Sequence, residues 1–125
     1  AGAVALSIAH DSHNIIVVGV SDEEMEFAVN SLIAQEGGMV LVKEGKVIES
    51  MPMPIAGLMS DQSGEWVDEK LTAIHAKAYE ELGIAGDVEP VMTLCFMSLA
   101  VIPEVKLTDM GLFDVTTFSF IPVEA

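Results

Sequence analysis

The residues best equipped for chemistry in this 125-residue chain are the consecutive His10-Asp11-Ser12-His13-Asn14, set between apolar runs at residues 4–8 and 15–20. Two imidazoles, a carboxylate, a hydroxyl and a carboxamide supply the donor and acceptor types that acid/base or ligand-binding chemistry uses. A carboxylate next to a histidine can fix the imidazole's tautomer and tune it for a polar ligand. His10 and His13 are three positions apart, so a continuous strand would send them to opposite faces, whereas a turn could bring them together. A metal site made by this stretch alone would lack ligands, because no third histidine, cysteine pair or carboxylate cluster lies near it in sequence. The bland alternative is a self-satisfied turn, with Asp11 and Asn14 bonded to neighbouring backbone groups. The residues by themselves leave both open. Nothing in the chain marks a serine nucleophile, a phosphate-cradling glycine loop or a zinc-finger spacing.

The elements that must hold this loop are legible around it. Residues 3–9 alternate Val4, Leu6 and Ile8 on one face with Ala3, Ala5, Ser7 and Ala9 on the other. That period of two predicts a strand packed closely against something thin on its small face. Residues 15–18 are continuously apolar and β-branched, which predicts a central strand buried on both sides. Ser21-Asp22-Glu23-Glu24 has capping-box spacing and opens a helix with Met25, Ala28, Val29, Leu32 and Ile33 on one face, ended by Gly37-Gly38.

Residues 39–42 and 47–48 flank Lys43-Glu44-Gly45-Lys46, a tight hairpin, and the chain is expected to leave the sheet at Met51-Pro52-Met53-Pro54. A second helix is expected over residues 65–82, with Val67, Leu71, Ile74 and Ala78 inward, His75 beside that stripe as a plain flank residue, and Gly83 just beyond the end. Residues 91–102 read as a long buried strand, 107–112 as a turn and the last segment as a half-buried strand with Thr116, Phe118 and Phe120 on one face. Two main helices and about six strands without strict alternation predict a single α+β domain in which a mixed sheet is covered by helices. The eight methionines read as flexible core packing.

Composition narrows the functional classes. The chain has five lysines, no arginine and twenty acidic residues, a formal charge of −15, which disfavours nucleic acid and anionic membrane partners. Its apolar runs fall short of the roughly 20 residues a spanning helix needs, so a soluble protein is expected. The lone Cys95 cannot form an internal disulfide and fits a reducing cytoplasm. A chain that starts Ala1-Gly2-Ala3, without an initiator methionine or a basic leader, is expected to be a domain of something longer.

Three blocks carry a resemblance: residues 7–19 around the polar stretch, Pro52-Met53-Pro54-Ile55-Ala56-Gly57-Leu58-Met59-Ser60-Asp61, and Val101-Ile102-Pro103-Glu104-Val105-Lys106-Leu107-Thr108-Asp109 followed by Gly111-Leu112. In this order they resemble the C-terminal domain of bacterial and archaeal adenine deaminases, over essentially the whole chain. Ala100 stands where that family's pattern has proline. The resemblance implies an amidohydrolase-superfamily hydrolase of purine metabolism that converts adenine to hypoxanthine and ammonia with a metal-activated water. It places manganese or iron in an upstream (β/α)8 barrel absent from residues 1–125, and no cofactor or metal ligand in this chain. The expected partners are that barrel domain of the same chain, adenine, and further copies in a homo-oligomer. His10, Asp11, Ser12, His13 and Asn14, with Ser60 and Asp61 as weaker candidates, are expected near the substrate or behind the groups that touch it, and the isolated chain is expected to be inactive. A stand-alone purine or small-molecule binding domain and a structural or oligomerisation module are the alternatives.

Overall fold

A computed structural model describes residues 1–124. Along the chain run β1 (Ala3–Leu6), β2 (Ile16–Gly19), α1 (Asp22–Ala34), β3 (Gly38–Lys43), β4 (Lys46–Pro52), α2 (Gly64–Glu80), α3 (Pro90–Phe96), β5 (Val105–Thr108), β6 (Gly111–Asp114) and β7 (Ser119–Ile121). The expected single α+β domain is what forms. In place of one mixed sheet, the described residues build two antiparallel sheets, ordered β2-β1-β3-β4 and β5-β6-β7, with a third helix beside the two expected. The reason lies in β1. The crossover β2–α1–β3 leaves β2 and β3 running the same way, but β1 lies between them and pairs antiparallel with both.

All four residues of β1 are buried. Ala3 and Ala5 face α1, where Ala28 and Leu32 pack with Val40 and Val42, so small residues let that helix approach closely. Val4 and Leu6 face the other way into a core with Met39, Leu41, Met51 and, from α2, Ile74 and Ala78. Burying each large aliphatic side chain there contributes about 1.5–3 kcal/mol. Helix, sheet and helix thus form three layers, and the alternation of small and large residues in β1 assigns each helix its face.

The helix signals are used as expected. The Ser21 hydroxyl accepts the Glu24 N–H at 3.3 Å, and Asp22, Glu23 and Glu24 occupy the positive end of α1. Ile33 lies outside the buried stripe and is exposed. Ser63 caps α2 in the same way, through the Trp66 N–H at 3.3 Å. The β3–β4 hairpin turns on Glu44 and Gly45, both at positive φ, 53° and 68°. β4 continues through Met51 and Pro52 before leaving the sheet, a place where proline is tolerated because β4 is an edge strand.

Three segments depart from expectation. Residues 91–102 are not a strand: Pro90 begins α3, the Glu89 carboxylate caps it through the Met92 N–H, and the chain turns from Met97 onward. Val91, Leu94 and Cys95 are buried at helical spacing, but apolar Met92, Phe96 and Met97 on the other sides hide the period. β2 is an edge strand because, among the described residues, only β1 pairs with it, and Val18 is left 53% exposed. Phe118 stands in the β6–β7 turn at φ 52°, and only residues 119–121 of the closing segment are strand.

Gly38 opens β3 at φ +108°, and a Cβ there would lie 2.0 Å from the Met51 carbonyl oxygen, whereas a Cβ on Gly45 would meet nothing within 4 Å. Gly38→Ala is therefore expected to cost about 3 kcal/mol or more, from strain plus backbone clash. Gly45→Ala should cost only about 1 kcal/mol for its left-handed backbone. Urea unfolding midpoints of the two variants check the difference.

The Lys70 ammonium lies 3.0 Å from Glu49, tying α2 to β4. Burial pushes the Glu49 carboxyl up, but the Lys70 hydrogen bond, the Ser50 N–H and the charges of Lys70 and Lys77 outweigh it, so Glu49 sits below the usual carboxylate range. A carboxyl depressed on folding stabilises the fold above its unfolded value and loses that contribution as the pH falls through its folded value. Lys70→Met should remove up to about 1 kcal/mol at neutral pH and flatten the loss of stability below pH ~4.5, read from unfolding curves between neutral and acid.

Candidate functional site

Residues 10–14 leave the end of β1 as an exposed loop. Its backbone is tightly bent: Asp11 and His13 lie at φ 71° and 51°, the Ser12 N–H donates to the His10 carbonyl at 2.9 Å, and the His13 N–H donates to the Ala9 carbonyl at 2.9 Å. A first contact anchors the loop to the body, where the His10 N–H donates to the Cys95 carbonyl at 2.9 Å. In a second, the His10 ring stacks on Phe96 with centroids 4.6 Å apart. Both anchors come from the end of α3, so the helix hidden in residues 91–102 is what holds the loop.

A cavity of about 160 Å³ opens beside it, lined by His10, Asp11, Ser12 and Asn14, by Ser98, Leu99 and Ala100 after α3, and by Leu107, Thr108 and Asp109 at the β5–β6 hairpin. The first and third sequence blocks thus meet in space. Two carboxylates, an imidazole, a carboxamide and hydroxyls surround one small volume. The Ser98 hydroxyl oxygen is sealed from solvent and finds no hydrogen-bond partner among the described residues. The Thr108 hydroxyl, by contrast, is engaged within its own hairpin, donating to the Gly111 carbonyl at 2.9 Å. Such a lining suits a small ligand that presents N–H donors together with acceptor atoms.

The candidate residues separate into three groups. His10, Asp11, Ser12 and Asn14 share the cavity. His13 belongs to the same exposed loop but does not line the cavity. Ser60 and Asp61 are not brought to it: the Ser60 hydroxyl accepts the Gln62 N–H at 3.0 Å, and Asp61 accepts from the Gln62 side chain at 3.2 Å. The second block has a packing role instead. Ser7 donates to the Gly57 carbonyl and accepts the Gly38 N–H at 2.8 Å, clamping the block to the sheet beside Gly37, where a Cβ would come within 2.7 Å of the Gly57 Cα. Ser98 and Asp109 escaped the sequence reading as site residues. Asp109 stood inside the third block, but the apparent strand concealed Ser98.

Among the described residues, no three His, Cys, Asp or Glu side chains are grouped to hold a metal ion. His10 is committed to its stack on Phe96 and His13 lies outside the cavity, so the donor set does not fit a manganese or iron centre in this chain. His75 has a structural partner: its Nε2 pairs with Glu89, the residue that caps α3.

The described residues thus form a three-layer α+β domain that raises a polar loop beside a small polar cavity. The chain belongs to the adenine deaminase C-terminal domain family, whose pattern matches residues 1–119. It is 75% identical over 124 residues to an adenine deaminase 2 from Desulfotalea psychrophila, an alignment that covers 99% of this chain and 22% of that protein. It is 54% identical over 120 residues to an adenine deaminase from Halalkalibacterium halodurans, covering 96% of this chain and 20% of that one. With the adenine deaminase of Bacillus subtilis the figures are 47% over 123 residues, 98% and 21%. The chain therefore spans about a fifth of the length of these relatives.

Geometry at the loop separates chemistry from scaffold. His10→Ala should destabilise the domain by about 1 kcal/mol through loss of the Phe96 stack, and His10→Phe should restore the loss. Asp11→Ala should cost about 1 kcal/mol more than Asp11→Gly, since only glycine adopts the left-handed backbone freely. Thermal melts of the four variants check both pairs.

Proposed function

We propose that this chain is the C-terminal accessory domain of an adenine deaminase, working beside a catalytic centre carried by another part of the same polypeptide. The reaction replaces the exocyclic amine at C6 of adenine with oxygen from water, giving hypoxanthine and ammonia. The observation that carries the reading is the polar cavity at the exposed His10 loop, in a chain whose relatives are named adenine deaminases. A purine edge offers N–H donors to the carboxylates of Asp11 and Asp109, and ring nitrogens to the donors of Ser12 and Asn14. His13 is assigned to the neighbouring domain or a neighbouring subunit, across which the loop leans. Ser60 and Asp61 keep only a remote, supporting place in the same scheme.

The manganese or iron ion of the full enzyme belongs in this proposal to the upstream barrel. A homo-oligomeric, cytoplasmic enzyme fits a domain with one unpaired, buried cysteine, and no helix among the described residues is long and apolar enough to cross a membrane.

The full-length enzyme carrying Asp11→Gly or His10→Phe provides the test, since each removes polar atoms at little structural cost. kcat/KM for adenine is expected to fall about 10–100-fold in each, with the melting temperature nearly unchanged. Unchanged kcat/KM in both variants would leave the loop a purely structural brace. Conversion of adenine to hypoxanthine by residues 1–125 alone, with manganese supplied, would put the catalytic centre in the wrong place. Absence of that conversion in the full-length enzyme would remove the deaminase assignment.

A further inference from the structure

Among the described residues, no helix or strand outside the β5–β7 sheet packs broadly against it. Lys106, Phe113 and Phe120 are cross-strand partners on one face, while Leu107, Leu112 and Ile121 are partners on the other. Phe118 reaches the first face from the β6–β7 turn and meets the Phe113 ring edge-to-face at 5.2 Å, as Phe120 does from its strand. Yet Phe118 is 74% and Phe120 55% exposed, and Leu107 is 75% exposed on the opposite face. A three-stranded sheet of such short strands needs a packed hydrophobic face for stability, and an aromatic cluster facing water forgoes its largest contribution. No carboxylate stands at a paired position of the phenylalanine face: Asp114 pairs with Val105 and Ser119, on the leucine face.

We propose that the phenylalanine face of β5–β7, formed by Phe113, Phe118 and Phe120, is the surface on which the remainder of the deaminase polypeptide docks. Three facts select that occupant over a second copy of this domain. Relatives of the chain contain about four fifths of their length outside the matching segment, which supplies a covalently tethered partner at high effective concentration. Two copies would bring together bodies of charge −15 each, which repel one another. Finally, the β5–β6 hairpin of the same sheet brings Thr108, on the side of Lys106 and Phe113, and the turn residue Asp109 to the cavity at His10, so an occupant seated on the phenylalanine face lies next to the end of the sheet that borders that cavity. Docking here explains how the polar loop would meet a substrate held by another domain. It rests on the functional assignment above.

The test is hydrogen exchange on the full-length enzyme, comparing the natural sequence with Phe118→Ser/Phe120→Ser and with Phe118→Leu/Phe120→Leu. Amides of β6 in the natural enzyme are expected to be protected, and to exchange at least about tenfold faster in the double-serine variant while β1 and β3 keep their protection. The leucine pair should retain most of the slow exchange. Fast exchange of β6 in the natural enzyme, or equal rates in all three proteins, would overturn the proposal. So would protection that disappears on hundredfold dilution, because a second copy would then be the occupant. Loss of protection in β1 and β3 of the serine variant would pass the decision to the leucine pair, in which β6 must remain protected for the proposal to stand. Deaminase turnover is measured on the same samples: protected β6 amides with no hypoxanthine formed would sink the activity and leave the docking surface in place.

Discussion

Everything in the larger sheet depends on the steric difference between alanine and leucine along four residues of β1. Because Ala3 and Ala5 project to one side and Val4 and Leu6 to the other, α1 packs close on one face while α2 stands off over a thicker core. With both faces sealed, β1 must also be flanked on both edges, since its backbone donors and acceptors have no water to turn to. The antiparallel pairing with β2 and β3 answers that need. The polar loop at residues 10–14 then follows, after residues 7–9, from a strand buried over its whole length.

From that strand outward the site is assembled by second-hand contacts. Phe96 and the Cys95 carbonyl fix His10, Glu89 holds the start of the helix that carries them, and His75 of α2 holds Glu89. A histidine that looks ornamental in sequence therefore belongs to the chain of supports under the loop. Ser7 performs the same office for the second block, taking one hydrogen bond from Gly38 and giving one to Gly57. Both arrangements place side chains in fixed positions without spending apolar area, which suits a domain with so little core to share.

Much of this was visible in the letters. The alternation in β1, the serine cap and glycine stop of α1, the Glu44-Gly45 hairpin and the stripe of α2 all follow local rules that tertiary structure had no cause to override. The polar stretch was also recognisable as a loop. What escaped was decided at longer range. α3 was invisible because its outward residues Met92, Phe96 and Met97 are as apolar as its inward ones, so no period could be seen. The edge position of β2 depended on β1 taking the interior place between β2 and β3, and no residue of β2 encodes that. Ser98 and Asp109 joined the cavity only once α3 and the β5–β6 hairpin had been folded towards the loop.

The outer edge of β2 has a further consequence. Residues 16–19 are short, β-branched but for Gly19, and free of charge or proline, and among the described residues one side of their backbone has no strand beside it. Edges of that composition act as templates for foreign strands, and proteins usually blunt them with a lysine, a bulge or a covering loop. β4, at the opposite margin, has Lys46, Glu49, Pro52 and a register shift against β3. The two margins thus differ in how they resist strand addition, and in a domain cut free of its enzyme aggregation is expected to start at the valine margin sooner than at the lysine one.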